Sequence, residues 1–268
     1  MSGKDSVSRD AAIPEVVKWA ALADPLAESP DLLQVFQRYR DSEDPRLKAA
    51  AQRAFSACTP AFLPGPGETP SPELLIAALP STQRMAREEA LRALYARCQS
   101  FMGLGRDALL KLRGSLATDG GWREAGQHVD EELAAGNVDQ ARRWATGALR
   151  SGDPAAITSI AGPLELLLET LASAKAGADV TASRAAAADM AAALPLLACD
   201  LGMDCSNRSL AALQLCAAEG QCEGDAEARF LARAAVDPGR APAVQAQRRR
   251  LLDLYRQGRP PSADDLLP

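Results

Sequence analysis

Ala182-Ser-Arg-Ala-Ala-Ala-Ala-Asp-Met-Ala-Ala-Ala193 decides the fold class, because eight of these twelve residues are Ala. Ala loses no side-chain freedom on entering a helix and is the strongest helix former. Its short side chain also lets neighbouring elements come close, so the stretch reads as a helix packed among other helices. The rest of the chain agrees. Of 268 residues, 55 are Ala and 36 Leu, whereas Val and Ile together number 13 and aromatic residues make up 4%. Sheets favour the β-branched and aromatic residues that are scarce here, which excludes sandwiches and barrels. The expectation is an all-α fold.

Working outward from the Ala-rich helix, helix signals recur with short interruptions. Pro14 opens a helix holding Val17 and Ala20, and Pro30-Asp31 starts another with Leu32, Leu33, Phe36 and Tyr39 on one face. Asp44-Pro45 sets an N-cap before a first-turn Pro, and the stripe Leu47, Ala51, Ala54, Phe55 and Cys58 follows at helical spacing. Thr59 to Pro72 carries five Pro and two Gly and reads as a break. It suits a connection inside one helical domain, residues 14–257, or a place where that domain divides. Further helices are expected over 72–79, 81–102, 106–117, 182–198, 207–218, 225–235 and 242–257, with residues 1–13 and 258–268 as loose tails.

Gly120, Gly136 and Gly152 stand 16 residues apart, and the last two precede the N-cap residues Asn137 and Asp153. A Gly that ends one helix just before a residue that caps the next predicts tight antiparallel hairpins, with helices near 122–135, 138–150 and 154–172. Gly162-Pro163 should kink or split the third. The spacing is similar to tetratricopeptide-type hairpins over about residues 120–170, without that family's full 34-residue pattern. The resemblance implies a partly repeat-like architecture, an α-solenoid or an irregular helical bundle.

Six cysteines form apparent pairs. Cys199 and Cys205, like Cys216 and Cys222, are separated by five residues, and each pair straddles a helix end marked by Gly202 or Gly220. Four cysteines allow three pairings. Bridges across two helices, such as Cys199 to Cys216 and Cys205 to Cys222, would pin a hairpin shut. Zinc is disfavoured, because structural sites use two to four intervening residues. Cys58 and Cys98 both lie on apolar helical stripes and could form a third bridge across facing helices.

Leu197-Ala-Cys-Asp-Leu-Gly-Met-Asp-Cys205, followed by Leu213-Gln-Leu-Cys216 and Cys222, resembles a C-terminal motif of uncharacterised exported α-helical proteins of Gram-negative bacteria. The likeness spans about residues 85–235. It implies export and disulfides and brings no activity. Met1 to Ile13 is polar and is not a signal peptide. Weighed with the cysteines, the expected location is periplasmic or secreted, with the native signal missing from this sequence; a cytoplasmic thiol protein is the alternative.

Chemistry-bearing motifs are few. The chain has one His, which excludes His-rich metal sites. Glu124, His128 and Glu132 stand at four-residue spacing and would share a helix face, a weak candidate for a divalent metal or a general base. No nucleophile elbow, P-loop or Rossmann glycine pattern is present, so no cofactor is expected. Arg248, Arg249 and Arg250 form the one basic cluster and are candidates for contacting an acidic partner. With a net charge of −5, the chain as a whole has no attraction for nucleic acid. The longest apolar stretches, such as Ala191 to Cys199, are too short to span a membrane. Trp19, Trp122 and Trp144 are read as core residues.

Absence of a catalytic motif, together with stacked hairpins that make extended surfaces, points to a non-catalytic exported protein acting through protein–protein contacts. The alternatives have distinct structural marks. An enzyme without a recognisable motif would bring carboxylates together in a deep pocket. A small-molecule binder would show an apolar cavity between helices, and a secreted effector or inhibitor would hold one partner tightly.

Overall fold

Twelve α-helices and a closing 3-10 turn, with no strand, make up the described residues of the computed structural model, which are 24–27, 29–62, 76–77, 80–118, 124–173, 179–234 and 239–267. In chain order the helices are α1 (Leu32–Tyr39), α2 (Pro45–Phe62), α3 (Arg84–Met102), α4 (Arg106–Thr118), α5 (Ala125–Ala134) and α6 (Val138–Ser151). There follow α7 (Pro154–Ser159), α8 (Ala161–Ser173), α9 (Val180–Asp200), α10 (Leu210–Gln214), α11 (Ala226–Ala234) and α12 (Arg240–Arg256). Caps fix several of the starts. Asp31 accepts from Leu33 N–H at 2.9 Å, Asp153 from Ala155 N–H at 2.9 Å, and Asp179 from Thr181 and Ala182 N–H at 3.0 and 3.1 Å. Each bond satisfies a first-turn amide that has no partner within its helix. The helices expected at 14 and 72–79, the Gly120 turn, Trp19 and Trp122 fall wholly or largely outside the described residues.

The apolar side chains gather into two main cores. The first is built on α1, α2 and α3, where Phe36, Phe55 and Phe101 meet with ring centroids 5.5 to 5.9 Å apart. The second surrounds α9, which packs against α7, α8, α11 and α12. Its Ala187, Ala191, Ala193 and Ala198 are buried, and these short side chains let the flanking helices lie close. Among the described residues α9 is also the one helix long and apolar enough, by length and composition, to cross a membrane; half of it is buried in this core. The α5–α6 hairpin turns at Gly136, φ 77°, and packs against α7 and α8.

A small third cluster joins the lobes. Ala90 of α3 meets Leu213, Cys216 and Ala217, and Leu210 of α10 sits in the first core. Arg87 of α3 is 8% exposed and donates to Ala217 O at 3.0 and 3.1 Å and to Ala218 O at 2.8 Å. Those carbonyls belong to the wide π turn Leu215–Glu219 that extends α10. A cation at a helix C-terminus is favoured by the partial negative charge there.

Three disulfides are present, and they settle the connectivity that the spacing left open. Cys58–Cys98 joins α2 to α3 inside the first core, with Cα atoms 5.4 Å apart. The other four cysteines bridge within their own loops rather than across helices: Cys199 pairs with Cys205 and Cys216 with Cys222, at Cα separations of 5.7 and 4.3 Å. The glycines explain this choice. Gly202 and Gly220 adopt φ of 105° and 76°, so each chain reverses just past its helix and returns one cysteine to the other.

Three further expectations change. The break placed at Thr59 begins later, because α2 continues through Pro60 to Phe62. The long third helix of the Gly-spaced region is split at Ile160, between α7 and α8, rather than at Gly162-Pro163. Pro163 thereby lies in the first turn of α8, where its missing N–H would have had no helical partner. The C-terminal segment is not a loose tail. Ala263 and Leu266 are buried, Ala263 N–H donates to Thr146 Oγ1 of α6 at 3.1 Å, and Arg250 donates to Asp265 O at 2.7 Å.

Candidate functional site

A recess lies where the two lobes meet, and several chain segments supply it. Asp24-Pro-Leu26 forms a turn held by Arg97 of α3, which donates to Ser29 O at 2.8 Å and Leu26 O at 2.6 Å. One face of α2 contributes Arg46, Leu47, Ala50 and Arg53, whose spacing places them in a row. The start of α7 brings Asp153, and the loop after α9 brings Met203 and Asp204. Glu124, at the start of α5, completes the set.

These segments enclose a cavity of about 450 Å³, with smaller recesses of about 280 and 190 Å³ beside it. Arg53 and Ala155 border all three. Tyr39, Leu47, Pro154, Leu201 and Met203 give the largest chamber apolar walls. The volume is that of a small-molecule site.

The charges in the cleft are not equivalent. Arg53 grips Asp24 with two bonds of 2.8 and 3.1 Å, and Asp24 also accepts from Leu26 and Asp204 N–H. Burial works against the Asp24 charge, but Arg53 and the two amides outweigh it and hold the carboxyl below its ordinary value. Arg46 grips Asp44 at 2.7 and 2.9 Å and lowers that carboxyl too. Asp153 and Glu124 differ. No cation among the described residues forms an ion pair with either. Burial pushes Asp153 up to about 6, against the N–H of Ala155 and the more distant charge of Arg53. Burial likewise raises Glu124, opposed by Arg53.

The candidate metal row does not survive folding. Glu124 borders the cleft, whereas the His128 ring stacks flat on Trp144, with centroids 4.1 Å apart and planes 7° from parallel. Glu132 accepts from Asn137 Nδ2 at 2.9 Å. Among the described residues no group of three His, Cys, Asp or Glu could hold a metal. Helical spacing put three side chains on one stripe, but each has a different neighbour: Glu124 the cleft, His128 the Trp144 ring of α6, and Glu132 the Asn137 amide in the turn between.

The basic cluster also separates. Arg248 is 14% exposed at its side chain and lies between Asp200 of α9 and Glu227 of α11, so it ties three helices and cannot serve as a free docking cation. Arg250 secures the C-terminal segment, and Arg249 is exposed. Trp144 corrects the core reading: it is 38% exposed, on the outer face of the α5–α6 hairpin.

The cleft itself was not visible in the sequence. Asp153 read only as a helix cap, and Asp24 and Arg53 carried no motif. Fold and site together define a class: an all-α, disulfide-bridged protein of two joined helical lobes with a charged, apolar-walled cleft between them. No family model, curated protein or solved structure matches the chain.

Proposed function

We propose that this is an exported, non-catalytic helical protein, periplasmic or secreted, that acts by holding a protein partner on its surface. The observation that carries the reading is the exposed Trp144 ring laid flat on His128. An aromatic ring ordered before binding offers a large contact area with little further loss of side-chain freedom, and Trp is enriched among residues that dominate interface energies. Its surroundings suit an interface rim, with Arg142 paired to Asp139 at 3.1 Å and Arg143 bonded to Gln140. Three disulfides support export, since such bonds persist in oxidising compartments.

The test keeps Trp144 and places a photo-crosslinking residue at the neighbouring exposed position 143, or at exposed Leu166 on α8 as a control, in producing cells. A single discrete adduct at 143, lost on Trp144→Ala, and none at 166 is the expected outcome. The same smear at both positions, or no adduct at either, overturns the interaction reading. Alkylation without reductant should find no free thiol, and six would remove the argument for export.

A further inference from the structure

We propose that the cleft between the lobes is a binding site for an organic cation: an ammonium or guanidinium group on a short apolar body, its charge between Asp153 and Glu124 and its body against Tyr39, Leu47 and Met203. This inference is independent of the Trp144 surface.

The first argument is charge bookkeeping within the cleft. Five carboxylates border the three connected recesses, namely Asp24, Asp44, Asp153, Glu124 and Asp204, against three cations, Arg46, Arg53 and Lys48. Both arginines are already committed, Arg53 with two bonds to Asp24 and Arg46 with three to Asp44. An anionic ligand would have to displace those pairs. A cationic ligand breaks no ion pair, because Asp153 and Glu124 form none among the described residues; Asp153 accepts from the capped amide of Ala155.

Geometry supplies the second argument. Asp153 borders both the 450 Å³ chamber and the 190 Å³ recess, and Glu124 borders that same recess. Both carboxylates thus border one small recess, together with Lys48 and Arg53, and that recess shares Arg53, Asp153 and Ala155 with the chamber that has apolar walls. Burying a carboxylate is unfavourable unless it is paired. Asp153 bears that penalty in the free protein, and burial pushes it up to about 6, so an arriving cation relieves it. Arg53 and Arg46 act against the rise of Asp153, and Lys48 borders the same recess. Asp24 and Asp44 are held by their own arginines, so Glu124 and Asp204 are the carboxylates that add to the attraction.

The chemistry fits a free alkylamine or a lysine side chain of a peptide, and the experiment separates them. Isothermal titration calorimetry on the oxidised full chain at pH 7.5 uses hexylamine, its neutral isostere hexanol and the oppositely charged hexanoate. Hexylammonium should bind at one saturable site at least tenfold more tightly than hexanol, and hexanoate should not saturate. Acetyl-Gly-Lys-Gly-amide binding more tightly than hexylamine assigns the site to a peptide lysine, and weaker binding assigns it to free amines. Asp153→Asn and Glu124→Gln should each weaken hexylammonium binding tenfold or more without lowering the melting temperature. Asn still caps α7, and Glu124→Gln serves if Asp153→Asn proves unstable. Hexylammonium affinity should also fall as pH drops below about 6 and Asp153 takes up a proton. Equal binding of hexanol and hexylammonium, preferential binding of hexanoate, or no saturable binding of hexylammonium overturns the proposal.

Discussion

Replacing Arg248 with Ala should destabilise the protein, although by sequence Arg248 belongs to a basic surface cluster. Its guanidinium meets Asp200 with bonds of 2.7 and 2.8 Å and Glu227 with two more, one of 3.0 Å. Side-chain exposures are 14%, 19% and 35% for Arg248, Asp200 and Glu227. The bonds to the two carboxylates outweigh burial and raise the Arg248 pKa above its ordinary value, so the cation is held firmly. Removing one member of a buried ion pair costs about 3–5 kcal/mol, because the remaining charges lose their partner. Glu227 keeps substantial contact with water, which reduces the expected loss to about 2–3 kcal/mol. At about 2–4 °C per kcal/mol for a chain of this size, the melting temperature should fall by roughly 5–10 °C. The assay is thermal and urea unfolding of the oxidised protein at pH 7, followed by circular dichroism. Exposed Arg249→Ala is the control and should stay within about 0.5 kcal/mol. Adding Asp200→Asn and Glu227→Gln to Arg248→Ala should recover part of the loss. If Arg248→Ala behaves like Arg249→Ala, the assignment of Arg248 to the fold rather than to a docking surface is wrong.

Other expectations follow from single contacts. The Asp153 pKa of about 6, against an ordinary 3.8, means that the folded state favours its protonated form, so its burial weakens folding above about pH 6 and ceases to matter below about 3.8. Asp153→Asn should therefore stabilise the protein by about 2 kcal/mol at pH 7, allowing for residual solvent contact, and by nothing at pH 3.5; a constant difference across that range would contradict the burial argument. Cys58–Cys98 closes 40 residues and each other bridge closes 6, so the loop-entropy relation gives about 4 kcal/mol for the first and about 2 for either of the others. Paired Cys→Ala variants unfolded in urea should reproduce that order, and equal losses would speak against it. A Cβ on Gly126 would lie 2.1 Å from Ser159 O, so Gly126→Ala should cost at least about 1–3 kcal/mol by forcing α5 away from α7. A neutral result would mean the two helices are not in contact. Tyr255 donates its buried hydroxyl to Leu149 O, and Tyr255→Phe should cost about 1–2 kcal/mol in the same measurement.

Local rules carried the sequence reading as far as local physics reaches. The Ala and Leu stripes located most helices, and Asp31, Asp153 and Gly136 marked ends that the structure shows in the expected conformations. What the stripes could not show is which faces meet. Glu124, His128 and Glu132 share a stripe, yet one borders the cleft, one stacks on Trp144 and one bonds Asn137 in the turn. Arg248 stands beside Arg249 and Arg250 in sequence, but one lies among carboxylates of α9 and α11 while another faces water. The cleft was hidden for the same reason: residues 24, 53, 124, 153 and 203 become neighbours only after two cores have formed and joined. The cysteine pairing was open for a different reason: the helix ends are legible, but the choice among three pairings is made by the full reversal at Gly202 and Gly220.

The three bridges have one property that follows from their order along the chain. Counted from the N-terminus, the first cysteine pairs with the second, the third with the fourth and the fifth with the sixth. A polypeptide threaded N-terminus first into an oxidant therefore makes its native pairs simply by joining each thiol to the next one to emerge. Nested or crossed connectivities lack this property and rely on later reshuffling. For this chain the order of the cysteines and the order of bonding coincide, so no bridge encloses or crosses another.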